Sequence, residues 1–195
     1  MGMNIKPILF NADMVRAILD GSKKVTRRVV NPQPEAIYVH GKQRDIINRN
    51  EIAFKVMNQG GKDCYMIPPY QPGDILYVRE TWQCINPYSD KEYVYRASCD
   101  ADFASDIGKW LPSIHMPKEA ARIWLKVIDV RMERLQDITD EQAELEGTHD
   151  YSSTANGFFY IWDSTIKKAN LDRYGWDADP WVWVIEFERC EKPRR

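Results

Sequence analysis

The sequence is poor in the residues that build metal centres and disulfide frameworks. Its four cysteines, Cys64, Cys84, Cys99 and Cys190, include no C-x-x-C pair. The three histidines, His40, His115 and His149, are scattered, so no structural zinc spacing is present. There is no P-loop, no G-x-G-x-x-G, no G-x-S-x-G and no H-E-x-x-H, which leaves ATP hydrolysis, dinucleotide redox chemistry and zinc proteolysis without a motif. No cofactor and no metal are expected. A run of about 18 apolar residues is missing, so no membrane span is expected, and Met1–Phe10 lacks the apolar core of a signal peptide. Together with cysteines read as free thiols, this points to a cytoplasmic protein. Formal net charge is only −2. The chain is therefore not coated in Lys and Arg as a bulk polyanion binder would be, although a local basic patch remains compatible with that total.

What is present is enough apolar material for a core. Of 195 residues, 44% are hydrophobic and 12% aromatic, which suits one domain of this length. Ile5–Phe10 reads as a short strand. A helix follows, with Asn11 as N-cap, Met14, Val15, Ile18 and Leu19 as its apolar stripe, and Gly21 as its left-handed stop. Residues 31–70 are irregular and rich in Pro and Gly, and read as an insertion with a hairpin or two, in which Ile52, Phe54 and Val56 alternate as in a strand. Ile75–Val78, Glu92–Ala97, Ile123–Val130 and Trp181–Phe187 are further strand candidates. Thr139 and Gln142 have the spacing of a capping box, and Gly147 ends the helix they open. Phe158, Ile161, Trp162, Thr165 and Ile166 mark another amphipathic helix. The charged tail, residues 189–195, is expected to fray. Without a βαβ rhythm, a doubly wound sheet is not expected; the pattern predicts an α+β fold, a small mixed barrel or curled sheet with flanking helices.

Three groups of residues could carry chemistry. Lys23, Lys24, Arg27 and Arg28 flank Thr26 directly after a helix end. Such cations also serve simply to offset a helix C-terminus, and the alternative is an anion or nucleotide site. Arg79-Glu80-Thr81-Trp82 follows a buried strand. It is either an ordinary strand end with a solvated ion pair, or a rim where Glu80 accepts from a base or ribose and Trp82 offers a stacking face. Glu141, Glu144 and Glu146 read as a solvated acidic helix face, except that Glu146 sits at the C-terminal end, where the dipole disfavours a carboxylate.

The segments Ile18-Leu19-Asp20-Gly21-Ser22-Lys23-Lys24-Val25-Thr26-Arg27-Arg28 and Gly73-Asp74-Ile75-Leu76-Tyr77-Val78-Arg79-Glu80-Thr81-Trp82 resemble the two signatures of the ASCH family, within the PUA-like superfamily. Val182-Trp183-Val184-Ile185-Glu186-Phe187 is similar to its last strand. Ser113-Ile114-His115-Met116-Pro117 through Arg122 resembles the subgroup of bacteriophages and prophages, often labelled morphogenetic. The resemblance spans roughly residues 5 to 188 and implies a small mixed β-barrel, with a cleft suited to RNA, single-stranded nucleic acid or a modified nucleoside. One branch of the family removes the acetyl group of N-4-acetylcytidine with a Gly-x-Lys-x-x-Thr-x-Arg motif and a glutamate on a later short helix. Gly21, Lys23, Thr26 and Arg28 match that spacing, and Glu146 falls at the glutamate position.

The resemblance thus implies Lys23, Thr26 and Glu146 as catalytic residues of an amidohydrolase, with Arg27, Arg28, Glu80 and Trp82 binding the ligand. Burial among Arg27 and Arg28 would lower the pKa of Lys23. A neutral Lys23 would deprotonate Thr26, and Glu146 would hold the leaving amine or orient water. The three are expected to converge in a cleft roofed by Trp82 or residues 31–70. Two other readings stay open: a non-catalytic nucleic-acid-binding module of phage origin, and a phage assembly factor that binds only protein.

Overall fold

The structure is a computed structural model of the chain and describes residues 4–37, 45–47, 51–85, 91–147 and 155–193. In chain order the strands are β1 (Ile5–Leu9), β2 (Val25–Val29), β3 (Ala36–Ile37), β4 (Asp45–Ile47), β5 (Glu51–Met57), β6 (Asp63–Met66), β7 (Ile75–Arg79), β8 (Trp82–Cys84), β9 (Tyr93–Tyr95), β10 (Trp124–Arg134) and β11 (Trp181–Cys190). The α-helices are α1 (Ala12–Asp20), α2 (Ala101–Asp106), α3 (Asp140–Leu145), α4 (Ala155–Thr165) and α5 (Leu171–Tyr174). The fold is α+β with a multi-stranded sheet ordered β1-β7-β10-β11-β2. The segments expected at 75–78, 123–130 and 181–187 are its β7, β10 and β11. A barrel requires the two end strands to join. Among the described residues no ladder runs from β2 back to β1, and no closed barrel is detected. Parts of the expected insertion (38–44 and 48–50), the end of the tail (194–195), His40 and His149 lie outside the described residues.

The chain packs as two compact units. The first comprises residues 1–22, 73–126 and 188–195. Here β1 runs parallel to β7, with Ile5 opposite Ile75 and Leu9 opposite Arg79. The first residues of β10 pair antiparallel with β7, Trp124 opposite Tyr77. Helix α1 forms as the sequence dictates: the Asn11 side chain accepts from the Met14 amide, Gly21 closes the helix at φ 87°, and Val15, Ala17 and Ile18 are buried. A second core gathers Ile75, Trp82, Met116, Ala120, Ala121 and Trp124. Strand β9 is shorter than expected. After Tyr95 the chain turns into a 3-10 segment, Arg96–Ser98, so Ala97 is buried without belonging to the strand.

The second unit comprises residues 23–72 and 127–187. Strand β11 pairs antiparallel with β2, with Val184 opposite Arg27 and Ile185 opposite Thr26. One face of this pair carries Val25, Val182 and Val184 into a core with Leu135, Ile138, Ala143, Phe158 and Trp162, which is why α3 and α4 sit there. Side chains alternate along a strand, so the other face carries Thr26, Arg28, Trp183 and Ile185, and Phe54 of β5 meets the Trp183 ring at 5.3 Å. Trp181 through Ile185 are consequently all buried, not only the alternate residues. β5 pairs with β3, β4 and β6, and the Gln71 side chain bonds both the amide and the carbonyl of Ile52.

Two elements outrun their patterns. β10 continues to Arg134, four residues past the expected end, through the charged run Arg131–Arg134. β11 continues to Cys190, and the start of the tail is tied rather than frayed: Glu188 lies 3.7 Å from Lys126, and Arg189 donates to the Leu19 carbonyl.

Candidate functional site

A buried ionic cluster forms where the start of β2 meets the end of α3. Helix α3 opens on Thr139, whose side chain accepts from the Gln142 amide, and ends on Glu146, with Gly147 left-handed at φ 83°. The last carbonyls of a helix lack intrahelical donors, and here the two residues just ahead of β2 supply them. The Lys24 amide donates to the Leu145 carbonyl at 2.8 Å, and Lys23 Nζ donates to the Glu146 carbonyl at 3.0 Å. The same ammonium lies 2.6 Å from Glu146 Oε2. Arg27 Nη1 takes the other carboxylate oxygen at 3.1 Å. Both oxygens of Glu146 are therefore held by cations, and this resolves the apparent misfit of a carboxylate at a helix C-terminus.

Lys23, Arg27 and Glu146 are 2%, 3% and 6% exposed. Ions at this depth lose several kcal/mol each in solvation, recovered only through close pairing and hydrogen bonding. Burial pushes the Lys23 ammonium below its ordinary pKa, with Glu146 opposing the shift. Burial likewise lowers Arg27 and Arg28, Arg28 being offset mainly by Tyr70. Two residues that the sequence pattern did not mark for this site complete the cluster. Gln142 Oε1 accepts from Arg27 Nη2 at 2.5 Å, and Glu133 lies 3.7 Å from the same guanidinium while accepting from Arg131 Nε at 2.5 Å. The Gln142 side chain thus serves Arg27 instead of reaching back to Thr139, and the expected capping box is only half made. The signal for Glu133 was its place in the alternating charges Arg131, Glu133 and Arg134; the signal for Gln142 was its spacing of one helical turn from Glu146. The Arg27 guanidinium also sits 5.7 Å from the Phe158 ring.

The structure brings Lys23, Arg27 and Glu146 together, and strand alternation puts Thr26 on the face of β2 opposite Arg27. Thr26 is 2% exposed and shares its face of β2 with Arg28 and Ile185, whereas Arg27 points to α3. The ladder is regular through Val25, so the kink that would turn Thr26 toward Arg27 and Glu146 is not there. Arg28 is half-buried near Tyr70.

The remaining candidates, Glu80 and Trp82, lie in the first unit and are buried. Glu80 is 1% exposed and both its oxygens are taken by Arg122, at 2.9 Å each. Arg122 is itself fixed by Ser98 and by stacking over Tyr95 at 4.1 Å. Glu80 is therefore held inside the first unit by Arg122. Trp82 is 8% exposed and packs against Tyr93 at 5.7 Å, so it presents no stacking face; its indole N–H is buried without a partner among the described residues. Also among the described residues, no group of three or more His, Cys, Asp or Glu is placed to hold a metal, and no helix is long and apolar enough to cross a membrane. Compared with known proteins, the chain matches no family model, no curated protein and no solved structure.

Proposed function

We propose that this is an ASCH-type domain that binds RNA or a modified nucleoside, with Lys23, Arg27 and Glu146 as its polar centre. One observation carries the reading. Lys23 and Glu146, two of the three catalytic positions that the sequence resemblance implies, are 123 residues apart in the chain and 2.6 Å apart in space. The cluster offers ammonium and guanidinium donors beside a carboxylate acceptor. That is the complement of a pyrimidine edge, whose exocyclic amine donates to a carboxylate and whose carbonyl and ring nitrogen accept.

A second reading, amidohydrolysis of N-4-acetylcytidine-like substrates, is favoured by the direction in which burial moves Lys23, since a neutral amine is what a general base requires. In that reaction Thr26 Oγ1 attacks the acetyl carbonyl as Lys23 takes its proton. The amide C–N bond then breaks, the cytosine amine leaves with that proton, and water cleaves the threonyl ester. The placement of Thr26 on the face of β2 away from Arg27 weighs for binding over catalysis.

The test is incubation of the full chain with N-4-acetylcytidine, followed by chromatography for cytidine. The binding reading expects saturable association without cytidine release. Release abolished by Thr26→Ala and by Lys23→Arg, whose guanidinium cannot act as a base, would establish the catalytic reading instead. Absence of association with both the nucleoside and single-stranded RNA would overturn both.

A further inference from the structure

We infer that Gln142 is a positioning residue of the proposed ligand site: it holds the Arg27 guanidinium on Glu146 and keeps it from closing on Glu133. Gln142 acts through Arg27, and its role rests on the proposed reading of Lys23, Arg27 and Glu146 as the polar centre of that site. Gln142 and Glu146 stand one helical turn apart at the end of α3. Each takes one terminal nitrogen of the guanidinium. Gln142 Oε1 accepts from Nη2 at 2.5 Å, and Glu146 Oε1 accepts from Nη1 at 3.1 Å. A planar group tied at both ends to one helix has its orientation set. A guanidinium cannot accept a hydrogen bond, so the Gln142 amide must turn its oxygen to Arg27. A third acceptor stands close by: Glu133 Oε2, on β10, lies 3.7 Å from the same Nη2. It is buried and has no hydrogen bond among the described residues, and neither has Arg27 Nε.

Those two open atoms define the competing arrangement. A guanidinium can meet a carboxylate side-on through Nε and Nη2, and Arg122 meets Glu80 in this way, at 2.9 Å for each contact. Turned toward Glu133, Arg27 would use its open Nε together with Nη2 and fill the open Oε2. Glu146 Oε1 would then lose its Nη1 contact, while Lys23 stayed on Oε2. A carboxylate is a stronger partner for a guanidinium than a neutral amide, so placement decides the outcome. Helix α3 delivers Gln142 to full hydrogen-bond distance. Glu133 is drawn the other way, its Oε1 held by Arg131 Nε at 2.5 Å. Removing the amide tips this balance toward Glu133, and removing the Glu133 charge as well takes away the competitor.

The experiment compares three full chains, wild type, Gln142→Met and Gln142→Met with Glu133→Gln, each shown folded by circular dichroism. Methionine keeps the side-chain length and the helix propensity but offers Arg27 only a weak acceptor. Calorimetric titration with N-4-acetylcytidine should show about tenfold weaker binding by Gln142→Met, toward the low end for loss of a hydrogen bond to a charged group. The double variant should recover most of that loss, whereas a role for Gln142 in stability alone predicts no recovery. A proton–nitrogen correlation spectrum of the arginine side chains, taken without ligand, reads the guanidinium itself. The Arg27 Nε–H resonance should move in Gln142→Met, as it gains a carboxylate partner, and return toward its wild-type position in the double variant. Equal binding by wild type and Gln142→Met, a double variant as weak as the single, or an unmoved Arg27 resonance would overturn the inference. A resonance that moves and returns in a chain that does not bind the nucleoside would uphold the hold of Gln142 on Arg27 and overturn the ligand reading alone.

Discussion

Glu146 shows how a single residue can carry opposite implications in sequence and in space. At a helix C-terminus a carboxylate opposes the macrodipole. Here it is stable because Lys23 and Arg27 occupy its two oxygens and Lys23 also reaches its carbonyl. The energetic consequence is asymmetric. Glu146→Ala leaves two buried cations facing each other with one carboxylate fewer, and should destabilise the fold by about 3–5 kcal/mol. Replacing both partners of the pair, Lys23→Met with Glu146→Leu, should cost less than the sum of the single changes, because the Lys23 charge leaves with its partner and only Arg27, still held by Gln142 and Glu133, stays charged there. Urea denaturation of the two singles and the double measures this coupling. If the losses simply add, the pair is not the unit that holds β2 to α3.

At the scale of elements, local signals were legible where one short segment settled the outcome. Asn11 and Gly21 bound α1 as their side chain and backbone preferences require, and the apolar runs of β7 and β11 were read as strands. Signals that depend on distant partners were not legible. The Gln142 side chain leaves the capping box because the Arg27 guanidinium, 115 residues away, offers it a stronger partner. β10 outruns its β-branched run because Arg131 is matched by Glu133 and Glu186. The segment Arg79-Glu80-Thr81-Trp82 fits a strand end and a rim alike, because the sequence does not announce that Arg122 will close on Glu80. The half-formed cap still matters: Thr139→Ala should cost about 1 kcal/mol, read as a lowered urea midpoint with unchanged slope. A variant as stable as wild type would mean that Arg27 and Lys24 hold α3 without its N-cap.

For the whole molecule, fold class was legible and closure was not. Alternation and propensity identify strands, but whether the end strands of a sheet meet depends on twist and pairing that no local pattern encodes. The same holds for the candidate site. Lys23 and Glu146 were marked by a motif and found in contact, whereas Thr26 follows the alternation of β2 to the other face. The proposed nucleoside recognition would lie in the second unit, at a centre whose acceptor is the Glu146 carboxylate. Calorimetric titration of N-4-acetylcytidine into wild type and Glu146→Gln, both shown folded by circular dichroism, tests this most directly. The account predicts saturable binding by wild type and at least about tenfold weaker binding by the variant, the loss expected when a charged acceptor becomes an amide. Equal affinity in the two proteins, or no binding by folded wild type, would contradict it.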